Sequence, residues 1–140
     1  MVNELTIVNT QSGILNIGHE VLQPQEVEVF YIIPTIRSSL TKYLKDRGLS
    51  QKQIAKILGI RESTVSQYVS SKRASKIKFS EKVEKHIEEA SKNINSKLDV
   101  IRETQKLLRF IRNSGEICSI HKTLCGLPGD CAIEKMGCSI

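Results

Sequence analysis

Leu49-Ser50-Gln51-Lys52-Gln53-Ile54-Ala55-Lys56-Ile57-Leu58-Gly59-Ile60-Arg61-Glu62-Ser63-Thr64-Val65-Ser66-Gln67-Tyr68 decides the fold of this chain. Ser50 is suited to cap a short helix, because its hydroxyl accepts a bond from a backbone N–H that has no partner inside the helix. Ile54, Ala55 and Leu58 then share one helical face, and small Ala55 lets a second helix approach closely. Gly59 falls where the chain must turn sharply, in a conformation that is cheap only for glycine. Ile60 and Val65 plug the angle between the two helices, and Tyr68 extends the core. Arg61, Glu62, Ser63, Thr64, Ser66 and Gln67 are left facing outward, and they are polar side chains of the kind that reads base edges in a major groove. The pattern is a helix-turn-helix, and sequence-specific binding of double-stranded DNA is the function it predicts. A plain helical hairpin with Gly59 as an ordinary C-cap is the competing account.

Charge favours the first account. From Arg37 to Lys78 there are eleven basic residues against Asp46 and Glu62, a net of +9. Residues before Arg37 carry four glutamates and no Lys or Arg, and the stretch after Lys78 is balanced to +1. Positive charge is therefore concentrated on the two-helix segment and its flanks. A phosphate backbone rewards that arrangement by counterion release, whereas a merely solvated surface mixes signs more evenly.

The 140 residues leave room for one modest core or a small domain with appendages. The low aromatic content and lack of Trp argue against a stacking surface for single strands or RNA. No apolar run reaches membrane-spanning length and the first residues lack the form of a signal peptide, so a soluble cytoplasmic protein is expected. Nothing resembles a nucleophile–base pair or a phosphate-cradling glycine loop, so no enzymatic activity is expected. The fold class predicted is mainly α. An irregular or β-like segment (1–30) precedes a helix-turn-helix domain (31–78), followed by a helical linker or dimerisation region (79–114) and a cysteine-rich loop (115–140). Pro34 suits a helix's first turn. That helix runs to about Asp46 with Ile36, Leu40, Tyr43 and Leu44 inward, and an earlier start stays open.

Gln51, Lys52, Lys72 and Arg73 are candidate phosphate contacts. Ser63, Thr64, Ser66 and Gln67 are candidate base contacts, with Arg61 reaching either. After Ser80, the residues Val83, Ile87, Ala90, Ile94, Leu98 and Ile101 recur at spacings of three and four, with Leu108 and Ile111 continuing to Gly115. Asn93-Ile94-Asn95-Ser96 is a candidate break. This stripe packs on its own domain or serves a homodimer, which would match a two-fold DNA site.

All four cysteines, Cys118, Cys125, Cys131 and Cys138, lie in the last 23 residues. Six, five and six residues separate them, and a turn-forming run, Gly126 to Gly129, lies between the second and third. Structural zinc sites bring ligands in pairs two to four residues apart, and only Cys118 with His121 is that close. Two disulfides are arithmetically allowed but disfavoured in a reducing compartment. An iron–sulfur cluster takes up to four thiolates at wider spacing. The cluster is therefore favoured on the four cysteines, with zinc as the alternative and His121 as ligand, supporting donor or solvated residue.

Pro34 with Ile36-Arg37, Gly48-Leu49-Ser50-Gln51, and Val65-Ser66-Gln67-Tyr68 with Lys72-Arg73 resemble a family of archaeal regulators. Its members carry a helix-turn-helix of the xenobiotic-response-element (Cro/repressor) type. Ile111-Arg112, Gly115, Cys118 and His121-Lys122 resemble that family's cysteine-bearing tail. The resemblance covers about residues 24–122 and implies a helical, dimeric, DNA-binding transcriptional regulator. Arg61 stands where the family commonly has Ser or Thr, and Ala74 where it often has Gly.

Overall fold

The computed structural model describes residues 22–70 and 77–125, and every element within them is helical. A first short helix, α1 (Pro24–Val27), runs through a π-helical turn (Glu28–Ile32) into α2 (Ile33–Asp46). Then follow α3 (Gln51–Leu58), α4 (Glu62–Val69), α5 (Glu81–Ser91), α6 (Lys97–Asn113) and α7 (Glu116–Cys125). The mainly α class expected from the sequence is the class observed. Helix is reached well before Pro34, which sits inside a long helical run as the second residue of α2.

Pro34 explains the wide turn that precedes it. Within an α-helix its ring would meet the carbonyl of Phe30, four residues back, and it has no N–H to donate there. A π-helical turn opens the spacing at that point, and Ile33 N–H accordingly donates to the Glu28 carbonyl five residues back. Thr35 Oγ1 donates to the Tyr31 carbonyl at 2.7 Å and supplies a side-chain bond beside the missing backbone donor.

Ile36, Leu40 and Leu44 of α2 are fully buried against Ile54, Val65 and Ile87 in one core, to which α3, α4 and α5 each contribute. Burying each such side chain is worth about 1.5–3 kcal/mol. Helices α5 and α6 separate at residues 92–96, where Ser96 caps α6 by accepting from Asp99 N–H. That new start resets the helical phase. On α6 the inward row is Glu103, Leu107 and Ile111 with Leu108, whereas Leu98 and Ile101 are 75% and 60% exposed. The single continuous stripe expected through Leu98 and Ile101 is therefore replaced by two stripes out of register. Ile94 stays buried between them.

Arg47 and Tyr43 tie α2 to α5 by polar bonds. Arg47 Nη1 donates to the carbonyls of Ser91, the last residue of α5, and Ile94 just past it, at 2.6 and 2.8 Å, at a helix end where a cation is favoured. One of the eleven basic residues of the central segment is thus structural. Tyr43 Oη donates to Glu84 Oε1 at 3.0 Å, and Ser39 Oγ donates to Glu84 Oε2 at 3.2 Å. Burial first, and then the Glu84 carboxylate, push the Tyr43 hydroxyl up to about 12. Because the folded value lies above the unfolded one, this contribution is present below pH 10 and lost as pH rises towards 12. In alkaline unfolding titrations, Tyr43→Phe should therefore show a shallower loss of stability across that window than the parent protein.

The residues from 115 begin as helix rather than loop. Gly115 takes a φ of +79°, which lets the chain reverse out of α6. Ile117 and Ile120 are then buried at helical spacing. Glu116 opens α7 and accepts from Ser80 N–H at 2.8 Å, tying α7 to the start of α5. Cys118 and Cys125 therefore stand on a helix, and residues 126–140, with Cys131 and Cys138, lie outside the described residues. His86 on α5 stacks on Phe110 of α6 with ring centroids 3.7 Å apart.

Candidate nucleic-acid interface

Helix α3 begins as its sequence predicts. Ser50 Oγ accepts from Gln53 N–H at 3.1 Å, while Gln53 Oε1 accepts from Ser50 N–H at 2.8 Å. This reciprocal cap satisfies two backbone donors and fixes where the helix starts. It places Gln51 on the first turn, half-buried, with Lys52 exposed beside it. Gly59 ends α3 at a φ of +69°, and Ile60 N–H returns to the Ala55 carbonyl at 3.1 Å. A side chain at Gly59 would meet no neighbour, so the requirement for glycine there is backbone conformation alone.

Arg61 is the extended residue that starts α4, and its side chain makes no capping bond. Its carbonyl instead accepts from Thr64 and Val65 N–H at 3.0 and 3.1 Å. Val65 and Tyr68 point into the core and fix the rotation of α4. Glu62, Ser63, Ser66 and Gln67 are left on one exposed face, with Thr64 half-buried at its border. That face combines hydroxyls, which donate and accept, with an amide able to bond adenine in two places. Glu62 is the exception, since a carboxylate repels phosphate and suits only a position over a base edge such as cytosine N4.

Gln51, Lys52, Arg61, Ser63, Thr64, Ser66 and Gln67 thus fall on two packed helices and the turn between them. Lys72 and Arg73 lie outside the described residues. Lys56 is a further basic residue beside these, not singled out from the sequence as a contact. It is exposed one turn beyond Lys52 on α3, and the i, i+4 spacing of the two lysines was the available signal. Helix α3 also packs against α6.

Of the four cysteines, Cys118 is half-buried and packs against the core edge. Cys125 closes α7 seven residues later, about 10 Å along the helix axis. His121, between them, is buried with Nε2 at the Leu22 carbonyl. Among the described residues, no group of three His, Cys, Asp or Glu side chains is placed to hold a metal ion.

With this geometry in place, comparison with known families gives one result. Residues 40–89 match the helix-turn-helix family model. The match covers α3 and α4, the second half of α2 and all but the last two residues of α5, and it supports a DNA-binding transcriptional regulator. No curated protein and no solved structure matches the chain. Among the described residues, no helix is long and apolar enough to cross a membrane.

Proposed function

We propose that this protein is a sequence-specific transcriptional regulator that binds duplex DNA as a homodimer, with α4 in the major groove. The observation that carries this reading is the exposed face of Ser63, Ser66 and Gln67, held outward by buried Val65 and Tyr68 within the basic central segment. Eight residues span about 12 Å, enough for one half-site, and a two-fold pair of such helices reads a full operator. Exposed Leu98 and Ile101 on α6 support a contact between copies.

Gln67→Ala and Lys52→Ala separate reading from anchoring. An operator selected from random duplexes is titrated against each variant by fluorescence anisotropy. Gln67→Ala should lose about 1–3 kcal/mol on the operator and little on random DNA, which flattens the preference. Lys52→Ala should weaken both duplexes alike and reduce the salt slope by about one. Equal losses on both duplexes for Gln67→Ala would remove α4 as the reading element.

The four cysteines are proposed to hold an iron–sulfur cluster that makes the regulator redox- or iron-responsive. Zinc is the alternative, with Cys118 and His121 as its one closely spaced pair. A bound cluster would supply one-electron or iron-dependent chemistry. Iron, zinc and sulfide analysis of anaerobically purified protein tests this. Stoichiometric iron and sulfide support a sensor, and iron-free protein that resists reconstitution leaves a structural zinc or disulfide clasp.

A further inference from the structure

The last described part of the chain grips the first helix at two points. Arg112, in the final turn of α6, donates from Nε and Nη2 to the Glu28 carboxylate at 2.6 and 2.9 Å. His121 on α7 meets the Leu22 carbonyl, one residue before the start of the α1 cap. Both gripped residues lie at or before the π-helical turn. The helix beyond that turn, α2, packs directly on α3 and on the reading helix α4. The turn is thus the covalent joint between the gripped segment and the DNA-reading unit.

Two spacings, π-helical and α-helical, are open to a joint of this kind. A π-helical turn holds one residue more than the α-helical path would. If it tightened to α-helical spacing, residues 22–28 would rotate roughly 100° about the axis relative to α2. Glu28 would then swing away from Arg112, and Leu22 away from His121. Docked α7 and the Arg112–Glu28 pair therefore both favour the wide turn, while Pro34 lowers the cost of the wide state by removing a bond that the tight state would otherwise gain. Gly115, between the two gripping residues, is where α7 would swing free.

We propose that the π-helical turn Glu28–Ile32 is a two-state joint through which the docking of α7 controls the DNA-reading unit. Docked α7 and the Arg112–Glu28 pair hold the turn wide together, and release of α7 leaves that pair alone to resist tightening, which loosens the seat of α2 on α4. A chemical event on the cysteine-bearing end thereby reaches α4 without touching DNA. The DNA arm of this inference rests on the regulator reading, whereas the joint itself does not.

The test uses the full chain, with hydrogen exchange to read the joint and anisotropy on a mixed-sequence duplex to read DNA affinity. His121→Ala should speed exchange across residues 24–33 about ten-fold and weaken duplex binding about five-fold, within the usual range of coupling between sites. His121→Gln, which keeps an N–H donor, should restore both. Faster exchange confined to residues 116–125 would overturn the joint. Coupled exchange with unchanged duplex affinity would overturn its link to the reading unit. Coupled exchange in a protein that never binds duplex would support the joint while removing the regulator reading. Should His121→Ala fail to fold, Pro34→Ala acts from the other side. It should speed exchange in α7 by favouring the tight turn, and unchanged exchange there overturns the proposal.

Discussion

Arg112→Met is expected to lower the unfolding free energy by about 3–5 kcal/mol, a large share of the roughly 5–15 kcal/mol that holds a small domain together. The reason lies with its partner. Glu28 is buried, with a side chain 9% exposed, and its carboxylate takes two parallel bonds from one guanidinium. The same hydrogen bonds hold the Arg112 guanidinium above its ordinary value. Removing the cation leaves a desolvated charge on the helix joint, and the cost is that stranded charge rather than the worth of the pair itself. The distinction is measurable. Glu28→Leu combined with Arg112→Met should recover most of the loss, because an apolar pair of similar volume incurs no such penalty. Urea melts of the two variants decide it. A loss under about 1 kcal/mol for Arg112→Met would mean that the Glu28 carboxylate is solvated by a route other than this contact.

That ion pair also marks where the sequence stops being readable. Short-range chemistry was legible: Ser50 as a helix cap, the glycine three residues beyond Lys56, and the inward Val65 and Tyr68 each depend on neighbours within a few positions. The outward face of α4 followed from the same spacing. Pro34 was visible, but proline favours the first turn of a helix so strongly that a widened turn within a longer helix left no local sign. Glu28 and Arg112 are 84 residues apart, and nothing in either stretch announces the other. Leu98 and Ile101 fit an apolar stripe only if the helix passes unbroken through Asn93 to Ser96. A small change of phase at Ser96 turned both to solvent. Arg47 added to the basic count, yet it serves the end of α5. Composition records how many charges there are and not what each one faces.

Raising salt from about 50 to 200 mM is expected to weaken duplex binding by roughly 10⁴-fold if the protein binds as a dimer, and by only about 150-fold if it binds as a monomer. The expectation follows from the cations assigned to phosphates. Lys52, Lys72 and Arg73, with Arg61 where it reaches phosphate rather than a base, provide four per protomer, with Lys52 exposed at the start of α3 and Arg61 exposed at the start of α4. Each phosphate neutralised adds about −0.9 to the slope of log K against log salt, so eight contacts give about −7 and four about −3.6. The slope therefore counts protomers as well as contacts. It also guards against a different account of the same charge, because a basic surface that docks an acidic protein partner has no condensed counterions to release from a duplex. Anisotropy titrations over that salt range, repeated with Leu98→Glu and Ile101→Glu together on α6, join the two questions. A parent slope near −7 that falls towards −3.6 in the double variant places the copies' contact on the exposed face of α6. A slope near −7 unchanged by the substitutions moves the contact elsewhere, and a flat salt dependence removes DNA as the partner.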